Sequence, residues 1–119
     1  MRAITYSRAG DPDVLTLVDK PLTAPGPGEV RVRIHRSGVN PTDWKSRRGL
    51  TSGQRGDFAQ VPNQDGAGVV DVVGEGVEDA LRGLRVWVWE AAHQRLEGTA
   101  QEFALVPRCL LYTSPSPRD

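Results

Sequence analysis

A mainly β domain, a small and partly open barrel with one short helix, is the fold class this sequence predicts. Three observations predict it. Six or seven short segments of strand character are separated by turns rich in glycine and proline. The segment Glu29-Val30-Arg31-Val32-Arg33-Ile34-His35-Arg36 alternates apolar and polar residues with period two. Only Pro41 to Arg48 has the makings of a helix. At 119 residues the chain has room for one domain.

Met1 to Ser7 reads as the opening strand, and Ala9-Gly10-Asp11-Pro12-Asp13 as a turn. Val14 to Val18 reads as the second strand. Three prolines and two glycines between Pro21 and Gly28 make an extended connection that cannot pair as a central strand. In the alternating segment, Val30, Val32 and Ile34 face the core while Arg31, Arg33 and His35 face out. Asn40 suits the N-cap of the short helix and Pro41 its first position. Gly49 to Pro62 is polar and reads as a mobile loop. Gly68-Val69-Val70-Asp71-Val72-Val73 is β-branched and suits a buried strand, with Gly74 and Gly76 marking a turn. Arg85 to Trp89 and Gln101 to Val106 complete the strands, joined by a loop through His93 and Gly98.

Fifteen basic residues balance fifteen acidic ones. That balance gives no ground for nucleic acid or an anionic membrane as partner. No apolar run approaches the ~20 residues of a membrane span. The strand-like start at Met1 leaves no signal peptide, and a cytoplasmic location is expected. Cys109 is the single cysteine, which excludes an internal disulfide and fits a reducing compartment.

Gly66-Ala67-Gly68 invites a dinucleotide-binding reading, but residue 71 is Asp where a third glycine is needed, and no helix follows. These glycines instead suit close backbone approach. His35 lies on the outward face of its strand, so the two histidines offer little for a zinc site.

Six segments, in order, resemble the N-terminal GroES-like domain of the medium-chain dehydrogenase/reductase superfamily. They are Pro25-Gly26-Pro27-Gly28-Glu29-Val30, Ser37-Gly38-Val39-Asn40-Pro41-Thr42-Asp43-Trp44-Lys45, Asp65-Gly66-Ala67-Gly68-Val69-Val70, Val73-Gly74-Glu75-Gly76-Val77, Arg85-Val86 and Gly98-Thr99-Ala100-Gln101-Glu102-Phe103. Leu84 departs from the aspartate usual there. The resemblance covers residues 1–107. It puts Asn40 where zinc-dependent members carry a cysteine ligand, and Gln64 where they carry a histidine. Neutral amides are poor zinc ligands. The chain therefore resembles the zinc-independent quinone oxidoreductase branch related to zeta-crystallin.

That resemblance implies a parent enzyme that passes hydride from NADPH to a quinone or activated alkene. The cofactor would be held mainly by a Rossmann domain missing from this chain, and the parent could be a homodimer. Asn40 and Gln64 are the implied catalytic residues, as donors to the developing oxyanion. Thr42, Trp44, Asp65 and His93 are implied for the substrate and nicotinamide pocket, and Asn40 and Lys45 for cofactor contact. Each has a plainer reading. Asn40 suits a helix cap, Asp43 a first-turn charge, Trp44 the core, Lys45 a solvated helix charge and His93 an ordinary loop residue. The rival functions are a GroES-type binding or scaffold module and a fragment of a zinc alcohol dehydrogenase.

Residues 108–119 read as a non-native tail. Cys109-Leu110-Leu111-Tyr112-Thr113-Ser114-Pro115-Ser116-Pro117-Arg118-Asp119 matches the translation of a transposon sequencing adapter. On that reading the gene continues past codon 108, and this polypeptide alone is inactive.

Overall fold

The computed structural model describes residues 1–50 and 59–113. Among the described residues, seven strands and one α-helix follow in the order β1 (Arg2–Thr5), β2 (Thr16–Asp19), β3 (Glu29–Ser37), α1 (Pro41–Arg47), β4 (Gly66–Val73), β5 (Arg85–Val88), β6 (Phe103–Pro107) and β7 (Leu111–Thr113). β1 and β2 form a hairpin, and the other five strands make one sheet in the order β6-β3-β4-β5-β7. All neighbours are antiparallel. Isolated bridges Ala3↔Gln101 and Tyr6↔Gln60 tie the hairpin to the rest. The sheets do not close on each other, so the fold is the open, mainly β GroES-like arrangement.

The long alternating strand folds as its pattern dictates. Val30 and Val32 are fully buried, while Arg33 and His35 are exposed. Ile34 is half-buried and packs on the core from its rim. Val70 from β4, Val86 and Val88 from β5, and Ala104 and Val106 from β6 meet Val30 and Val32 in one cluster. Arg31 on the outer face is held by Asp71, with Nε–Oδ1 and Nη2–Oδ2 both at 3.0 Å. Its guanidinium also lies 5.4 Å from the Phe103 ring centre. No helix among the described residues is long and apolar enough to cross a membrane.

Several boundaries differ from the sequence reading. The second strand begins at Thr16, because Pro12 starts a 3-10 turn that takes in Val14 and is closed by Leu15 N–H on the Pro12 carbonyl. The fifth ends at Val88, leaving Trp89 outside. Gln60 and Val61, expected in a loop, instead make bridges to Tyr6 and Glu97, and Val61 is fully buried. The centre of that expected loop, 51–58, lies outside the described residues. Part of the expected tail joins the sheet: Leu111 buries against the core while Tyr112 faces out, so β7 has the alternation of an edge strand. Ser114 to Asp119 lie outside the described residues.

Candidate active site

Antiparallel pairing creates the site. Ser37 at the end of β3 pairs with Gly66 at the start of β4. The segment that leaves β3 (38–43) and the one that enters β4 (63–65) are therefore side by side. Gly38 permits the contact. A Cβ there would fall 2.1 Å from Asp65 Oδ1, and Gly38 N–H donates to the Asp65 carbonyl at 2.9 Å.

Two aspartates tie the segments together. Asp43 is only 7% exposed, and its carboxylate accepts from the Asn40 N–H at 2.7 Å and the Gln64 N–H at 3.1 Å. Asp65 Oδ1 accepts from Asn40 Nδ2 at 3.0 Å. One carboxylate thus fixes the backbone at both amide residues, and the other orients the Asn40 side chain. Asn40 is indeed the N-cap residue by position, with φ −124° and ψ 163°. The Asn40 amide donates through Nδ2 to Asp65. Asn40 and Asp43 have the capping-box arrangement, with Asp43 reaching back to the Asn40 N–H.

Gln64 is anchored through its main chain. Its N–H meets Asp43, and its carbonyl accepts from the Ala91 N–H at 2.8 Å. Its Oε1 is buried with no hydrogen-bond partner among the described residues. A buried acceptor left unpaired costs stability.

The remaining expected site residues are more peripheral. Trp44 is 40% exposed rather than core. Two cations lie near its ring centre, Lys45 Nζ at 5.8 Å and Arg48 Cζ at 5.6 Å. Thr42 and Lys45 are exposed on α1. His93 is exposed in the turn whose Ala91 contacts Gln64, and its N–H donates to the Glu90 carbonyl at 3.0 Å. Sequence reasoning assigned no role to Asn63, Ser37 or Thr99. Thr99 is fully buried, donates to the Asp65 carbonyl at 2.7 Å, and lies 2.7 Å from Ser37 Oγ. Asn63, at φ 80°, donates through Nδ2 to Ser37 Oγ at 2.8 Å. The available signal was a threonine and a serine within the quoted Gly98-Thr99 and Ser37-Gly38 segments.

The donor set does not fit zinc. Positions 40 and 64 hold amides, and no group of three or more His, Cys, Asp or Glu converges among the described residues. Nor does the Gly66-Ala67-Gly68 segment fit the phosphates of a dinucleotide. Gly66-Ala67-Gly68 lies inside β4, paired on both sides, with no helix after it.

Burial holds the Asp43 carboxyl above its ordinary value, with the nearby Asp65 charge adding, against the lowering effect of the two N–H donors. The folded chain therefore binds the Asp43 proton at a higher pH than the unfolded chain does. Between the ordinary value and the raised one, this group's contribution to stability falls as pH rises. Asp43→Asn is expected to remove that falling component, so its stability climbs more steeply than wild type across the window. Urea unfolding at a series of acidic pH values reads the difference.

Residues 26–116 match the alcohol dehydrogenase GroES-like domain family. A synaptic vesicle membrane protein VAT-1 homolog of Rattus norvegicus is 34% identical over 117 residues, covering 97% of this chain and 28% of that protein. A quinone oxidoreductase of Rattus norvegicus is 33% identical over 120 residues, covering 100% of this chain and 35% of that protein. A mycobacterial protein solved in complex with NADPH superposes with a TM-score of 0.81 at 30% identity, covering 98% of this chain and 34% of that one. The chain thus spans about a third of the length of the curated relatives it matches. Open sheet, paired amides and relatives agree: the chain belongs to the alcohol dehydrogenase GroES-like domain family of the medium-chain dehydrogenase/reductase superfamily, with quinone oxidoreductases among its relatives.

Proposed function

We propose that this chain is the substrate-side part of an NADPH-dependent quinone oxidoreductase that works without zinc at residues 40 and 64. One observation carries the reading. The two positions where zinc-dependent members place metal ligands hold carboxamides; Asp65 binds the Asn40 side-chain amide, and Asp43 binds the main-chain N–H of both residues. When bound, NADPH supplies the hydride. Asn40 has its Nδ2 held by Asp65, which leaves one N–H to point at a substrate oxygen. Gln64 offers Nε2. Preset donors of this kind stabilise charge that develops on a carbonyl oxygen without reorganising during reaction. The substrate class is a quinone or an activated alkene conjugated to a carbonyl, because both place negative charge on oxygen as hydride arrives.

The cofactor's phosphates belong, in this proposal, to a Rossmann domain encoded beyond codon 108, and residues 108–119 are adapter-derived. The relatives' greater length supports this reading. The test is to read the genomic DNA past that codon and assay the complete product. The expected result is a glycine-rich turn followed by a helix, and NADPH oxidation that depends on added quinone. A stop codon directly after residue 119, or oxidation of simple alcohols with no quinone turnover, would overturn the proposal.

A further inference from the structure

The hydroxyl of Thr99 makes no contact with Asn40, yet proton counting links the two. The Asp65 carbonyl carries no proton, so Thr99 must donate across their 2.7 Å contact. With its only hydroxyl proton spent, Thr99 can only accept from Ser37, 2.7 Å away. Ser37 in turn accepts from Asn63 Nδ2 at 2.8 Å. The chain therefore runs one way, from Asn63 through Ser37 and Thr99 to the Asp65 carbonyl.

That carbonyl also accepts from the Gly38 N–H at 2.9 Å, so both of its lone pairs are used. The Asp65 peptide is held from two sides. Its carboxylate lies against the Gly38 Cα, where a single added carbon would clash at 2.1 Å. Asp65 Oδ1 then binds Asn40 Nδ2 at 3.0 Å. An amide with one N–H fixed points its other N–H in one direction.

We propose that Thr99 is a positioning residue: through the Asp65 peptide it sets the direction of the free Asn40 N–H donor. The proposal rests on the oxidoreductase reading above for its catalytic consequence, and on the hydrogen-bond chain alone for its structural one. Thr99 is fully buried and touches no substrate. Its contribution is orientation, and small errors in orientation are costly to rate.

The experiment compares Thr99→Val, which keeps the shape and removes the hydroxyl, with Thr99→Ser, which keeps the hydroxyl. In the complete enzyme, Thr99→Val should lower kcat about tenfold with a smaller change in KM, while Thr99→Ser stays near wild type. In parallel, hydrogen exchange of the Asn40 side-chain NH2 is followed by NMR. It should speed up in Thr99→Val and not in Thr99→Ser. Equal kcat and equal Asn40 exchange in wild type and Thr99→Val would overturn the proposal. If wild type turns over no quinone, the oxidoreductase reading falls, and Asn40 exchange alone decides the positioning role. Should Thr99→Val fail to fold, Thr99→Ala removes the same hydroxyl, and its Asn40 exchange is read in the same way.

Discussion

Gly68→Ala is expected to destabilise the domain by about 3 kcal/mol or more, a large share of the roughly 5–15 kcal/mol available to a domain. Gly68 is in the middle of the sheet, paired with Ile34 on one side and Val86 on the other. A Cβ there would fall 2.0 Å from the Arg33 carbonyl oxygen and 2.8 Å from its carbon. Those are backbone atoms, so no side-chain rotation relieves the clash. Either β3 or β4 must move, and these two strands carry Val30, Val32 and Val70 of the core. Gly76→Ala is the control. Gly76 has φ +84° with nothing within 4 Å of an added Cβ, so it loses only the left-handed strain of about 1–2 kcal/mol. Urea unfolding of both variants separates steric from conformational cost. Equal losses would show that the close approach of β3 and β4 is not what position 68 requires.

Removing either amide of the candidate site is expected to lower kcat of the complete enzyme by roughly 10²–10³-fold, the usual cost of losing one oxyanion donor. Asn40→Ala and Gln64→Leu make the pair. Their stabilities should diverge. Asn40→Ala leaves Asp65 Oδ1 without its amide partner. Gln64→Leu removes a buried acceptor that has no partner among the described residues, so it should leave stability unchanged or raise it by about 1 kcal/mol. A residue that costs stability and supports rate is the signature expected of a functional position. Steady-state kinetics and thermal melts on the same preparations read both quantities. Loss of stability in Gln64→Leu with full activity would assign glutamine a structural role.

The strand pattern was legible because it is local. Alternation in 29–36 and the β-branched run after Gly68 each carry their own period, and both became paired strands of the main sheet. Pro12 displaced the second strand through turn geometry, a three-residue effect easily outweighed by a run of apolar residues. Val61 was hidden because its burial depends on Glu97 and Tyr6 segments far away in sequence. The site divides in the same way. Asn40 and Gln64 could be picked out by their places in recurring motifs. The aspartate clamp and the Asn63–Ser37–Thr99 chain could not, since Ser37 and Thr99 are 62 residues apart and meet only through strand pairing. Asp43 was readable as a first-turn residue, but its second partner, the Gln64 N–H, was not.

In the proposed enzyme two carboxamides, that of Asn40 bound by Asp65 and that of Gln64 placed through its main chain by Asp43, take over the task of a metal. Metal analysis of the purified, active gene product, with activity followed before and after exhaustive chelation, tests it most directly. The account predicts quinone reduction that survives chelation, with zinc far below one per chain. One tightly held zinc per chain, whose removal abolishes turnover and whose return restores it, would contradict the account.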